Sequence, residues 1–460
     1  MGIRVELLRA LTKSENSIKA IEGMDTLEIS TDSRQKVENS LFIPIVGEYF
    51  DGHDHLFEAK ENGAVAALWQ EGKPVPRDLE QDFPLFFVED TLVGLQTLAT
   101  MHRHDVAPIV IGITGSNGKT TTKEIVASLL SSTYKVHKTK GNLNNHIGVP
   151  LTLLAMPADC EVCVLEMGMN HFGEISLLSQ IAEPDVSIIT NIGESHIEFL
   201  GSRAGIAKAK LEILEGMKQE GTLIIDGDEP LLTQAEAIGK NRITCGYGSS
   251  NDYVISSLQT KSEGSVFTVN GKSYNMPLLG AHNVKNTTYA IALAYKLHLT
   301  EPVIEDKLKR LESTSMRLET LSGKLGTLLI NDAYNASPTS MKAAVDTVKQ
   351  LSGFKKRVIV LGDMYELGDD EEALHREVAE VITEPITQVI TIGEKAQWIA
   401  DECRRIEQST LEVISFSKKE EALPLLFDQL GRDTVMLFKA SRLAGLETLI
   451  DALKDGGDES

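Results

Sequence analysis

The chain has 460 residues, 42% of them apolar and 24% charged, with 67 Asp plus Glu against 45 Lys plus Arg for a formal charge of −22. Such a composition supplies about three cores at roughly 150 residues each, and it excludes disorder, collagen and coiled coil as the main state. The acidic balance argues against nucleic acid as a partner, since affinity for a phosphate backbone comes from Lys and Arg, and an anionic substrate would require positive charge gathered locally.

In chain order, Met1–Leu11 carries charges and no long apolar core, so no signal peptide is expected. No apolar stretch approaches the roughly 18 residues of a spanning helix. Residues 1–90 hold short apolar runs, Leu41–Val46 and Ala64–Leu68, separated by polar turns such as Glu48–His55, and read as a small α/β domain. A helix is predicted over Thr91–His104. From Ile109 onward, β-branched runs alternate with helix-length amphipathic segments, the pattern of strand-helix-strand units around a parallel sheet. The predicted strands are Ile109–Ile113, Val162–Glu166, Val186–Thr190, Thr222–Ile225 and Arg242–Cys245. Alternation over Asp252–Leu279, with Asn270-Gly271 as a type I′ turn, predicts an antiparallel element, and a helix over Asn283–His298 follows. After Arg317 the alternation resumes, with strands at Thr327–Ile330, Val358–Leu361, Val389–Ile392, Val413–Phe416 and Val435–Phe438. No G-x-G-x-x-G follows these strands, which weighs against a nicotinamide or flavin. Lys454–Ser460 reads as a mobile tail.

The expected fold is therefore α/β in three domains. Residues 1–90 form the first, 91–316 a central one with a phosphate loop and a mostly parallel sheet, and 317–460 a doubly wound, Rossmann-like one. Cys160, Cys163, Cys245 and Cys403 are too few for a disulfide framework and fit a reducing cytoplasm. Cys160-x-x-Cys163 falls in a run, Cys160–Met167, that reads as a strand; positions three apart then face opposite sides, so a zinc or redox pair is not expected.

Gly115-Ser-Asn-Gly-Lys-Thr-Thr121 sits between a predicted strand and an amphipathic helix, the layout of a phosphate cradle. Glycines let backbone N–H groups converge, Lys119 reaches the outer phosphates and Thr120 is a ligand for Mg²⁺. The strict spacing would need Gly where Ile113 stands, so the loop is a shorter variant; the alternative is a tight turn with a surface lysine. Glu166 ends a strand, where a carboxylate holds Mg²⁺ or is merely a surface charge. His196 follows the strand ending at Thr190, as a metal ligand or a solvated loop histidine. Lys208 and Lys210 lie in an alanine-rich helix and read as a solvated face. Asn283 reads as a helix cap. Asp332 and Asn335 stand at a strand's carboxyl end, where α/β sheets bind ligands.

In this order, Thr31-Asp-Ser-Arg34, Gly47–His53, Thr114–Thr122, Glu166, Asn191–His196, His282–Asn286, Arg317 and Asp332 resemble the Mur ligase family, ATP-dependent amide-bond ligases of peptidoglycan precursor synthesis. Gly141–Gly148, Asn331–Pro338, Leu361–Gly368 and Lys439–Arg442 are similar to the branch that adds D-alanyl-D-alanine, rather than to its siblings or to folylpolyglutamate synthase. The resemblance implies an N-terminal domain for the UDP end of the substrate, a central ATPase, and a C-terminal domain for the incoming dipeptide. It implies that Ser33 and Arg34 hold the uridine nucleotide and that Asn144 and Asn145 face the sugar-peptide. It assigns ATP to Gly115, Ser116, Asn117, Gly118, Lys119, Thr120 and Thr121, with Asn283 and Asn286 towards the adenine, Arg317 at the γ-phosphate, and Asp332 and Asn335 at the ribose. Thr120 and Glu166 would take one Mg²⁺; His196 and a carbamylated lysine would take a second. That lysine is Lys210 by the family spacing, with Lys208 left open by the Ala-Lys-Ala-Lys repeat. Lys119, His196 and Lys210 are the implied catalytic residues. The implied partners are UDP-N-acetylmuramoyl-tripeptide and D-alanyl-D-alanine, for a cytoplasmic monomer that neither binds nucleic acid nor inserts into a membrane. A nucleotide-binding switch using the same loop is the competing reading.

Overall fold

The computed structural model describes residues 2–12, 15–80, 83–235, 241–406 and 410–455, so the expected tail lies outside the described residues beyond Asp455. Contacts divide the chain into two compact units: Met1–Thr114 with Thr133–Ser187 and Glu212–Thr222, and Gly115–Ser132 with Ile188–Leu211 and Leu223–Ser460.

The first unit contains a five-stranded sheet in sequence order, β1 (Ile3–Arg4), β2 (Thr26–Ser30), β3 (Ser40–Phe42), β4 (Ala64–Gln70) and β5 (Leu85–Val88). β1 and β2 are antiparallel and the rest run parallel. Phe42, Leu56, Ala67 and Trp69 form its core on one side. The helix Thr91–Val106 follows, capped by Asp90, whose carboxylate accepts from Val93 N (2.9 Å). Strands β6 (Ile109–Thr114), β7 (Val136–Lys138) and β8 (Val162–Glu166) lie parallel, with β8 between the other two. Every residue of β8 is buried, as the unbroken apolar run requires of a strand covered on both faces. Cys160 precedes that strand instead of opening it, and its Sγ donates to Val162 O (3.2 Å). All four cysteines are free and buried.

β9 (Val186–Ile189) runs from the first unit into the second. In the second unit, β10 (Thr222–Asp226), β11 (Arg242–Gly246) and β12 (Tyr253–Lys261) run parallel, and β13 (Gly264–Val269) and β14 (Lys272–Met276) continue antiparallel. Asn270 and Gly271 both have positive φ, 48° and 79°, so the two-residue turn is of the expected primed type. The helix Ala281–Lys296 begins two residues before its expected start, and Asn283 does not cap it: its Nδ2 donates to Leu279 O (2.8 Å), whereas a cap must accept.

The last sheet has the order β15 (Glu319–Ser322), β16 (Leu328–Asn331), β20 (Thr434–Lys439), β17 (Lys356–Gly362), β18 (Gln388–Ile392), β19 (Glu412–Phe416). Only β15 is antiparallel to its neighbour. Ile359 and Leu361 face one apolar cluster while Val358 and Val360 face another, which is how a doubly wound sheet buries both sides. Pro338 opens the helix Pro338–Gln350, capped by Ser337 and Ser340 in a reciprocal box. Among the described residues no helix is long and apolar enough to cross a membrane.

Candidate active site

The phosphate loop is held in the second unit by the segment that follows β9. Ser116 N donates to Asn191 O (3.1 Å) and Asn117 N to Asn191 Oδ1 (3.0 Å). Thr190 Oγ1 and Asn191 Nδ2 both donate to Asn117 O, at 2.6 and 2.9 Å, and Gly193 N donates to Ser116 Oγ (2.9 Å). The loop therefore has a fixed shape before any ligand arrives. Two glycines make this approach possible. At Gly115 a Cβ would stand 1.8 Å from Thr190 Oγ1, and at Gly118, with φ 81°, it would stand 2.7 Å from the Asn286 carboxamide. The helix Lys119–Leu130 starts on Gly118 with no side-chain cap, so its N-terminal N–H groups point outwards as an anion site. Lys119 Nζ donates back to Gly115 O (2.8 Å), Thr120 is half-buried and Thr121 is buried.

His196 and Lys210 belong to the same unit. His196 has φ 64°, and its Nδ1 lies 2.7 Å from Glu366 Oε2. Lys210 is 2% exposed on the helix Arg203–Leu211, whereas Lys208 on that helix is exposed. Burial, reinforced by the Lys119 charge, holds the Lys210 amine well below its ordinary pKa.

On the nucleotide side, Asn286 Nδ2 donates to Asn283 Oδ1 (3.3 Å) and both side chains are buried. The Arg317 guanidinium lies 4.2 Å over the Tyr334 ring. Asp332 Oδ1 accepts from Leu318 N (3.2 Å) and Oδ2 from Lys439 Nζ (2.6 Å). Asn335 is exposed, and its Oδ1 accepts from Ala336 N (2.9 Å).

In the first unit, Glu166 is 3% exposed; its Oε1 accepts from Asn144 Nδ2 (2.9 Å) and its N donates to Thr139 Oγ1 (3.0 Å). Asn145 Oδ1 accepts from Gly148 N (2.8 Å) at the start of the helix Gly148–Leu154, a capping contact. Ser33 Oγ donates to Glu58 (2.5 Å). Arg34 grips Asp32 with two bonds, at 2.8 and 3.0 Å, and holds that carboxyl well below the usual carboxylate range.

Comparison with known proteins decides the family. The Mur ligase middle domain matches residues 113–294, and the Mur ligase glutamate ligase domain matches residues 316–442. The chain is 44% identical to the UDP-N-acetylmuramoyl-tripeptide--D-alanyl-D-alanine ligase of Bacillus subtilis, over 92% of each. The chain belongs to the Mur ligase family. Its fold is similar to that of MurF from Acinetobacter baumannii (TM-score 0.83, 30% identity, 98% of this chain and 99% of that one). It is similar also to MurF ligase from Thermotoga maritima in complex with ADP (TM-score 0.82, 28% identity, 92% and 96%).

Several residues around this Mur ligase site escape sequence reasoning because they act through partners far along the chain. Tyr289 OH donates to Thr190 O (2.7 Å), Thr339 Oγ1 to Glu194 Oε1 (2.8 Å), and Lys439 Nζ to Asp332 and to Asn335 O (3.1 Å). Lys285 pairs with Asp226 (2.8 and 2.9 Å) and with Asp228 (3.2 Å). Glu194, Lys285, Glu366 and Lys439 were visible only as parts of the segments Asn191–His196, His282–Asn286, Leu361–Gly368 and Lys439–Arg442.

Proposed function

We propose that this Mur ligase uses ATP to join D-alanyl-D-alanine to UDP-N-acetylmuramoyl-tripeptide, releasing ADP and phosphate, as a monomer in the cytoplasm. Residues 1–90 take the UDP end, 91–316 ATP, and 317–460 the dipeptide. The observation that carries the reading is the preshaped loop Gly115–Thr121, with an uncapped helix N-terminus behind it, in a chain alike over 92% of its length to a ligase of that name. The buried thiols suit a reducing compartment.

A carboxylate is a poor electrophile, so the tripeptide's terminal carboxylate oxygen first takes the γ-phosphoryl group of ATP, forming an acyl phosphate and ADP. The dipeptide amine then attacks the acyl carbon. The tetrahedral intermediate collapses as the C–O bond to phosphate breaks, and the amine's proton leaves. Two anions must meet in the first step, and Lys119 and the N-terminus of Lys119–Leu130 offset their repulsion from fixed positions. Asn283 and Asn286 would line the adenine side, Arg317 the γ-phosphate, and Asp332 and Asn335 the ribose; Ser33 and Arg34 would hold the uridine nucleotide, and Asn144 and Asn145 the sugar-peptide.

Taken singly, the Thr120 hydroxyl, the buried Glu166 carboxylate and a carbamylated Lys210 are oxygen donors of the kind Mg²⁺ takes, and the His196 ring would add a nitrogen donor. Burial favours the uncharged form of the Lys210 amine, the form that adds to CO₂ with loss of a proton to give an anionic oxygen ligand. When bound, Mg²⁺ neutralises charge on the phosphate oxygens. The test offers the enzyme, ATP and UDP-N-acetylmuramoyl-tripeptide with D-alanyl-D-alanine or with single amino acids, and separately offers folate with glutamate. Ligated mass is expected with the dipeptide, and product from folate and glutamate alone overturns the reading.

A further inference from the structure

We propose that the carboxylate of Glu366 receives the α-ammonium group of the incoming dipeptide, a specificity-determining role that rests on the ligase reading above. Glu366 lies in the loop after β17, at the carboxyl edge of a doubly wound sheet, where such sheets bind ligands. The loop is fastened residue by residue. Asp363 Oδ1 accepts from Ala396 N (2.7 Å) and Asp363 O from Ser441 N (3.0 Å). Met364 N donates to His375 Nε2 (3.0 Å), and Tyr365 N donates to Ser441 Oγ (3.2 Å). These bonds hold Glu366 at φ 63°, a left-handed conformation that side chains with a Cβ avoid.

The Glu366 carboxylate meets a residue outside its own sheet. Oε2 lies 2.7 Å from His196 Nδ1, in the segment that grips the phosphate loop, while the side chain remains 50% exposed. The last sheet thus presents a solvent-reachable anion at the edge where phosphoryl transfer takes place. The nucleophile is an amine that is largely ammonium at neutral pH, since α-amino groups titrate near 8. It must be drawn to a spot beside polyphosphate and held apart from it. A half-exposed carboxylate suits that task, because hydrogen bonds between an ammonium and a carboxylate are about twice as strong as neutral ones. A bare contact between His196 and Glu366 would explain the distance but would make no distinction between dipeptides with and without the ammonium.

The experiment uses that distinction. D-lactyl-D-alanine has the shape of the dipeptide with a hydroxyl in place of the ammonium. In the wild type, its inhibition constant is expected to exceed the dipeptide KM by about tenfold or more. In Glu366→Gln that ratio is expected to fall to about one to threefold, with the KM values for ATP and the UDP-linked tripeptide within about twofold of wild type. Glu366→Asp keeps the charge and should keep the discrimination. If Glu366→Gln does not fold, Glu366→Ala takes its place with the same expectation. An unchanged ratio overturns the assignment, as does a parallel rise of all three KM values. A wild-type enzyme that makes no product overturns the ligase reading instead.

Discussion

The hydroxyl of Tyr289 donates to the carbonyl oxygen of Thr190 over 2.7 Å, and both residues are buried. Thr190 in turn donates from Oγ1 to Asn117 O and faces Gly115, so one phenol on the helix Ala281–Lys296 fixes the strand end against which the phosphate loop is set. Tyr289→Phe leaves a buried carbonyl without its donor, a loss of about 1–3 kcal/mol. Urea unfolding should show that loss, and the ATP KM should rise while the fold persists. Unchanged stability and KM would mean that the strand end does not depend on this bond.

Gly118→Ala tests the loop from its other side. A Cβ there meets Asn286 at 2.7 Å and must also adopt φ 81°. A displacement of about 1 Å at a reacting group costs on the order of 100-fold in rate, and a loss of that size is expected in phosphate release. Circular dichroism should stay as in the wild type, because the loop lies outside the apolar cores.

Much of the fold was legible in sequence. β6, β8, β9, β10 and β11 and the strands from Leu328 to Lys439 announce themselves because sheets covered on both faces need unbroken β-branched runs, whereas the short β7, with no residue fully buried, went unseen. β15, Glu-Thr-Leu-Ser, has no such run, since it is an edge strand with every residue at least partly exposed, and it went unseen. The phosphate loop could be read because its chemistry is contiguous. Tyr289, Lys439 and Glu366 could not, because their partners lie 99, 107 and 170 residues away. The Ala-Lys-Ala-Lys repeat left two lysines open, and it does not show that Lys210 is buried while Lys208 is exposed. The resemblance set Arg34 at the uridine nucleotide, and its pairing with Asp32, two residues before it, was not read from the sequence.

That separation of lysines gives a prediction. Lys210→Ala should abolish turnover, and formate or acetate should restore part of it by supplying the missing oxygen ligand. Lys208→Ala, at an exposed position, should stay within about twofold of wild type. Active wild-type enzyme whose Lys210 shows no carbamate by ¹³C NMR in labelled bicarbonate would contradict the assignment.

His375 makes the Glu366 loop sensitive to acid. Its Nε2 accepts from Met364 N and its Nδ1 donates to Glu371 O (2.6 Å), so the ring must be neutral. Burial lowers its pKa, against opposing effects from Glu371 O, Asp363 and the Glu371 carboxylate, with Lys395 adding to the lowering. A folded pKa below the unfolded value of about 6.5 means the contribution is complete above that pH and is lost as pH falls through the folded value. The urea midpoint should therefore decline below about pH 6.5, and His375→Gln, which keeps a donor and an acceptor without a titrating proton, should flatten that decline. Identical pH profiles would remove His375 from the account.

The central claim is that ATP turnover serves amide formation. Phosphate release should be followed with ATP and Mg²⁺ in four mixtures: neither substrate, UDP-N-acetylmuramoyl-tripeptide alone, D-alanyl-D-alanine alone, and both. Sustained release only in the complete mixture, with one ligated product per phosphate, is the predicted result. Equal release in the mixture that lacks both substrates would contradict it, and would show a nucleotide switch in place of a ligase.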